Sequence, residues 1–135
     1  MIRQLSISTV LLWCLVAPTL AADETATDVA DHFFVTLKGG LWKGSFRDLH
    51  PAMQSRCGGT PNSFAGKIIE RFESRLTSWK ISEKFSHSDS ALLTAIVERE
   101  SGEPLSMGIV LDRDVNGWSI TSASIANRDL CPANQ

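Results

Sequence analysis

The apolar residues of this chain recur at two different periods, and the change near Thr77 does most to limit what it can fold into. Before that point Val29, Phe33 and Leu37 repeat every four residues, widened by Ala26, Ala30 and Phe34. That spacing predicts an amphipathic helix over residues 24–38. Asp23, Glu24 and Asp28 near its start and Lys38 at its end suit the helix dipole, and Gly39-Gly40 permits a positive-φ exit. A second helical stretch, residues 45–56, carries Phe46, Leu49 and Met53 on one side and breaks at His50-Pro51. The residue before a proline avoids the α region, and proline itself suits a first helical position. The run Cys57-Gly58-Gly59-Thr60-Pro61 has loop chemistry. Asn62 is then expected to cap a third helix, reaching about residue 77, with Phe64, Ile68, Ile69, Phe72 and Leu76 as its buried stripe.

After Thr77 the period becomes two. Trp79, Ile81, Glu83 and Phe85 alternate with Lys80, Ser82, Lys84 and Ser86, the pattern of a half-buried strand. Residues 91–100 are apolar on both faces at their middle and read as a central strand, and Leu105, Met107, Ile109 and Leu111 form one face of a third. Asp114-Val115-Asn116-Gly117 is the strongest hairpin signal, because Asn-Gly readily supplies positive φ. Residues 118–125 make the fourth strand, and the chain from Ala126 reads as a polar tail pinned by Cys131. Helices first and a four-stranded antiparallel meander second predict an α+β domain, with a curved sheet covered on one face by the long helix.

The first 22 residues stand apart from this scheme. Arg3 precedes an apolar run from Leu5 to Ala17, and Thr19-Leu20-Ala21-Ala22 closes it with small residues. This is the pattern of a cleaved secretory signal, with an uncleaved anchor as the rival, since the run is short of the ~20 residues a comfortable span needs. Trp13 before Cys14 argues against lipid attachment there. The expected organisation is a leader over residues 1–22 and one domain over residues 23–135, secreted or periplasmic, with no membrane span after cleavage. In that compartment Cys57 and Cys131 remain as a pair. Free redox-active or metal-binding thiols are the alternative. The chain has no Cys-x-x-Cys and no histidine at ligand spacing from either cysteine, so a structural bridge is the stronger reading.

From His32 to Arg56, with Gly40-Leu41-Trp42 at the corner after the first helix and His50-Pro51 at the restart, the sequence resembles the opening of nuclear-transport-factor-2-like, cystatin-like domains. Asn116-Gly117-Trp118-Ser119-Ile120 is similar to their last hairpin, where a tryptophan follows the turn. The likeness spans most of residues 23–135, in element order and without a catalytic signature, and small secreted bacterial proteins of unassigned function share it. One departure is evident: Cys57 to Pro61 is too short and glycine-rich for the strand usually found between the second and third helices. The resemblance implies a cystatin-like cone between helix and sheet, and copies that pair as a homodimer through the outer sheet face. In active members such as ketosteroid isomerase, scytalone dehydratase and polyketide cyclases, an Asp/His or Asp/Tyr pair in the cone moves protons beside a carbonyl.

Little in the chain answers that chemistry. It has no tyrosine, and His32 lies off the apolar stripe of its helix and faces water. His50 reads as the cap before Pro51. The suggestive group is Glu83, on the apolar parity of its strand, with His87 continuing that parity and Glu98 on the neighbouring strand. A carboxylate in an apolar setting is costly unless paired, which is how general bases are tuned. The plainer reading puts Glu83 at a sheet end or edge, where a solvated charge discourages strand addition. No phosphate loop, nucleophile elbow or His-Glu-x-x-His occurs, and three scattered histidines make no metal site, so neither metal nor cofactor is expected. Basic residues are scattered and the balance slightly acidic, which argues against nucleic acid. These features point to an exported non-catalytic binding domain for a small apolar ligand or an envelope partner protein. Trp79, Phe85, Met107 and Trp118 would line the site, with Glu83 as polar contact. Two alternatives stay open: an isomerase or dehydratase with Glu83 as base and His87 as its partner, and an inhibitor or immunity-type protein acting by surface complementarity.

Overall fold

A computed structural model describes residues 24–132, so the expected leader lies outside the described residues. Within them, helices α1 (Ala26–Lys38), α2 (Trp42–Arg47), α3 (Pro51–Arg56) and α4 (Pro61–Phe72) precede strands β1 (Leu76–Ser86), β2 (Ser90–Arg99), β3 (Leu105–Asp114), β4 (Gly117–Ile125) and β5 (Arg128–Asp129). The strands form an antiparallel meander in chain order, an open curved sheet with the helices packed on one face. This is the expected α+β arrangement with one strand more than the sequence suggested.

Local chemistry sets the helix bounds. Thr25 Oγ1 accepts the Asp28 N–H at 3.1 Å while the Asp28 carboxylate accepts the Thr25 N–H at 3.0 Å, a reciprocal cap on α1. The hydrogen bonds from the Thr25 backbone and side chain hold the Asp28 carboxyl below its ordinary range. At the other end Gly39 stays helical and Gly40 alone takes positive φ, 71°. The break at His50-Pro51 divides α2 from α3, and His50 Nδ1 caps α3 by accepting the Ala52 N–H at 3.0 Å. Thr60, not Asn62, caps α4, with Pro61 at the first helical position. Glu73 ends α4 early by turning left-handed, at φ 65°, so that Leu76 opens β1 instead of closing a helix.

Among the described residues the sheet has three register shifts, one of them at Thr77 near the start of β1, and the other two decide which side chains face the helices. In β1, Glu83 pairs with Leu93 but Phe85 pairs with Leu92, so Lys84 is an extra residue and the side-chain alternation reverses there. In β4, Ile120 pairs with Leu111 but Ser122 pairs with Val110, leaving Thr121 extra. The second bulge lets Ile120 and Ala123, three residues apart, both face the helices. The β3–β4 turn uses Gly117 at φ 106°, and the Asp114 carboxylate accepts the Asn116 N–H at 2.8 Å. What reads as a polar tail turns back at Ala126 and Asn127, both at positive φ (52° and 66°), to lay down β5.

The core lies between sheet and helices. Phe33 and Phe34 of α1, Met53 of α3 and Phe64 of α4 meet Leu93, Val97, Met107, Ile109, Leu111 and Ile120 of the sheet, all fully buried. Phe33 packs edge-on to Phe34, and Phe64 is tilted against both Phe33 and Phe46. Cys57 and Cys131 are bridged, with 5.1 Å between their Cα atoms, and tie the end of α3 to the chain beyond β5. Such a bridge belongs to an oxidising compartment. Among the described residues no helix is long and apolar enough to cross a membrane.

Candidate functional site

The helix-facing side of the sheet, where the resemblance places a cone, is filled by aromatic side chains. Phe34 stacks on Trp79 with ring centres 5.7 Å apart, and the Trp79 indole N–H donates to the Asp31 carboxylate at 2.8 Å. Trp79 thus closes the α1–β1 edge and stays half-buried. Met107 is wholly buried in the core. Trp118 packs half-buried against the core from the start of β4.

The β1 bulge decides the rest of the expected set. Glu83, opposite Leu93, points to the helix side but is exposed near the strand's end. Phe85, past the bulge and opposite Leu92, points to the outer face and is 45% exposed. His87 contacts Phe85, with ring centres 5.1 Å apart. Glu98, opposite Ser78, shares the outer face and sits five register positions from Glu83 along β1. Glu83, His87 and Glu98 therefore do not converge, and the expected lining is divided between two faces of the sheet. The parity argument fails at a single inserted residue.

An apolar cavity of about 360 Å³ lies elsewhere, where the C-terminal ends of α1 and α4 meet the start of β1. Leu37, Trp42, Ile68, Phe72 and Leu76 wall it, and Ile69, 62% exposed, stands at its mouth. Lys38, Glu73, Ser74 and Arg75 edge it. The geometry follows from two helix endings. The Gly39-Gly40 exit turns Trp42 back beside α1, and left-handed Glu73 swings the chain from α4 into β1, leaving a gap between the two ends. Its volume lies near the lower bound for small-molecule sites, roughly 300–1,000 Å³. Leu41, Trp42, Lys43, Thr60, Pro61 and Asn62 line a shallower hollow on the other side of Trp42. The cavity was not legible in the sequence. Its residues read one by one as helix stripe, glycine corner and loop, and only the meeting of the ends of α1 and α4 at the start of β1 joins them.

A second polar feature also escaped the sequence. His32 Nδ1 lies 2.7 Å from Asp48 Oδ2, joining α1 to the C-cap of α2. Burial pushes the Asp48 carboxyl above its ordinary value, and the hydrogen bond and charge of His32 draw it back in part. Among the described residues no group of three or more histidine, cysteine or acidic side chains is placed to hold a metal ion.

No family model matches the chain, and no curated protein matches it. One solved structure shows a partial likeness, the phospholipid-binding protein from Ralstonia solanacearum in complex with a phospholipid. The two chains are 17% identical, with a TM-score of 0.40 over 82% of each. A TM-score that low carries no weight for the fold or the ligand of this protein.

Proposed function

We propose that this protein is an exported, non-catalytic binding domain that holds a small apolar ligand in the cavity between the ends of α1 and α4. The observation that carries the reading is the cavity itself: apolar side chains from four elements wall an opening that the packed core leaves unfilled. The Cys57–Cys131 bridge supports a working place outside the reducing cytoplasm, in keeping with the leader pattern of residues 1–22. In this reading the ligand lies in the α1–α4 cavity, and not among Trp79, Glu83, Phe85, Met107 and Trp118.

A partner protein is the second reading, favoured by part-exposed Phe85, Ile96 and Val110 on the outer sheet face. Binding of Nile red, a neutral hydrophobic dye, to the native protein separates the two. Ile69→Glu puts a charge at the cavity mouth and is expected to weaken the dye at least tenfold, while Ile96→Glu on the outer face leaves it unchanged. Loss of dye with Ile96→Glu alone would move the apolar site to the sheet and overturn the cavity reading.

A further inference from the structure

Resting on the cavity reading, we infer that the ligand is a single-chain amphiphile with an anionic head, a carboxylate or a similar small acid group. The walls supply the apolar half of the argument: Leu37, Trp42, Ile68 and Phe72 offer no hydrogen-bonding group except the Trp42 indole, so they suit a hydrocarbon chain. The rim supplies the polar half. Two helix C-termini point toward it, and unspent carbonyls there would favour a cation. They are largely spent. The amides of Gly39, Gly40 and Leu41 take the carbonyls of Val35, Leu37 and Thr36, and the Arg99 guanidinium donates to the Phe72 carbonyl at 2.7 Å.

The side-chain charges then decide the sign. Glu73 lies 3.9 Å from Arg99, and Glu100 lies 3.9 Å from Arg75. Lys38, on the rim at the end of α1, has no carboxylate partner among the described residues. The mouth of an apolar cavity therefore carries one cation in excess, and that cation is on a flexible stem able to reach a head group leaving the cavity. A chain buried at Ile68 and Phe72 with its acid group at Lys38 satisfies both halves.

The test is calorimetric titration of the intact, bridged protein, below micelle-forming concentrations, with decanoate, decanol and decyltrimethylammonium. The three share a chain and differ in head charge. Decanoate is expected to bind about two- to fivefold more tightly than decanol, the range of an exposed ion pair, with decyltrimethylammonium the weakest. Added salt should narrow the gap. Lys38→Glu should abolish or invert the order, and decanol binding that persists in the variant shows the cavity intact. Equal binding of all three, or a preference that survives Lys38→Glu, overturns the anionic head and leaves the cavity reading standing. Failure of all three to bind overturns both.

Discussion

Asp48 holds a carboxylate where ionisation is resisted, and it takes a side-chain hydrogen bond from a histidine half open to water. Because burial raises its folded value, the sign of its linkage is the less usual one for an acid. Its contribution to stability is fully present below the ordinary carboxylate range, about pH 4, and is lost as pH rises through the raised value. Asp48→Asn keeps an acceptor for the His32 Nδ1–H and removes the charge. The variant is expected to match or exceed the parent at pH 7 by up to about 1 kcal/mol, and to lose that advantage near pH 3. Thermal unfolding across that range checks it; a loss at pH 7 would mean that His32 holds the anion more strongly than burial opposes it. A second buried contact at this scale joins α1 to α2. Thr36 Oγ1 and Ser45 Oγ are 2.6 Å apart, and Thr36 also donates toward the Phe33 and His32 carbonyls. Thr36→Val keeps the shape and strips one partner from Ser45, which is left with a 3.4 Å contact to the Phe33 carbonyl. Denaturant unfolding should show a cost of about 1–2 kcal/mol. The helical wheel placed His32 correctly toward solvent. It could not reach Asp48, sixteen residues on, because that contact is made by the packing of α2 against α1.

Elements were legible where their chemistry is local, and hidden where one residue breaks a period. Asn116-Gly117 announces the β3–β4 hairpin, and the structure uses the glycine for the positive φ it needs. Lys84 carries no mark that distinguishes it from any other solvent-facing lysine in a strand, yet its insertion sends Phe85 through the sheet. The β4–β5 turn is hidden for a related reason. Ala126 and Asn127 take positive φ in succession without a glycine, and alanine has no side chain to hydrogen-bond the backbone in that conformation. A poorly suited residue at a tight turn gives a sharp expectation. Ala126→Asn, at an exposed position, should raise stability by about 0.5–1 kcal/mol and the melting temperature by a few degrees. A calorimetric scan that shows no gain, or a loss, would mean that the turn is strained by its neighbours and not by its first residue.

At the scale of the whole molecule, the helix-then-sheet order and the cysteine pair are written in period and composition, whereas the cavity exists only where the ends of α1 and α4 come together at the start of β1. The bridge and the cavity also share no residue, which makes their roles separable. Closing a loop across a sequence separation of 74 removes unfolded-chain entropy worth about 4.5 kcal/mol in the chain-entropy model. The folded C-terminus has other holds. Arg56 donates to the carbonyls of Cys131 and Thr121 at 3.2 and 2.9 Å, Arg71 donates to the Asp129 carbonyl at 2.6 Å, and the Leu130 N–H donates to Ala123. With those bonds intact, removing the bridge acts mainly on the unfolded state. The paired substitution of Cys57→Ala with Cys131→Ala is therefore expected to cost about 2–4 kcal/mol and lower the melting temperature by roughly 10–20 °C. Affinity for decanol, measured well below that melting point, should stay within twofold of the parent. A folded variant that no longer binds would show that the bridge shapes the α4 end of the cavity through the helix, and that stability and binding in this domain are one property and not two.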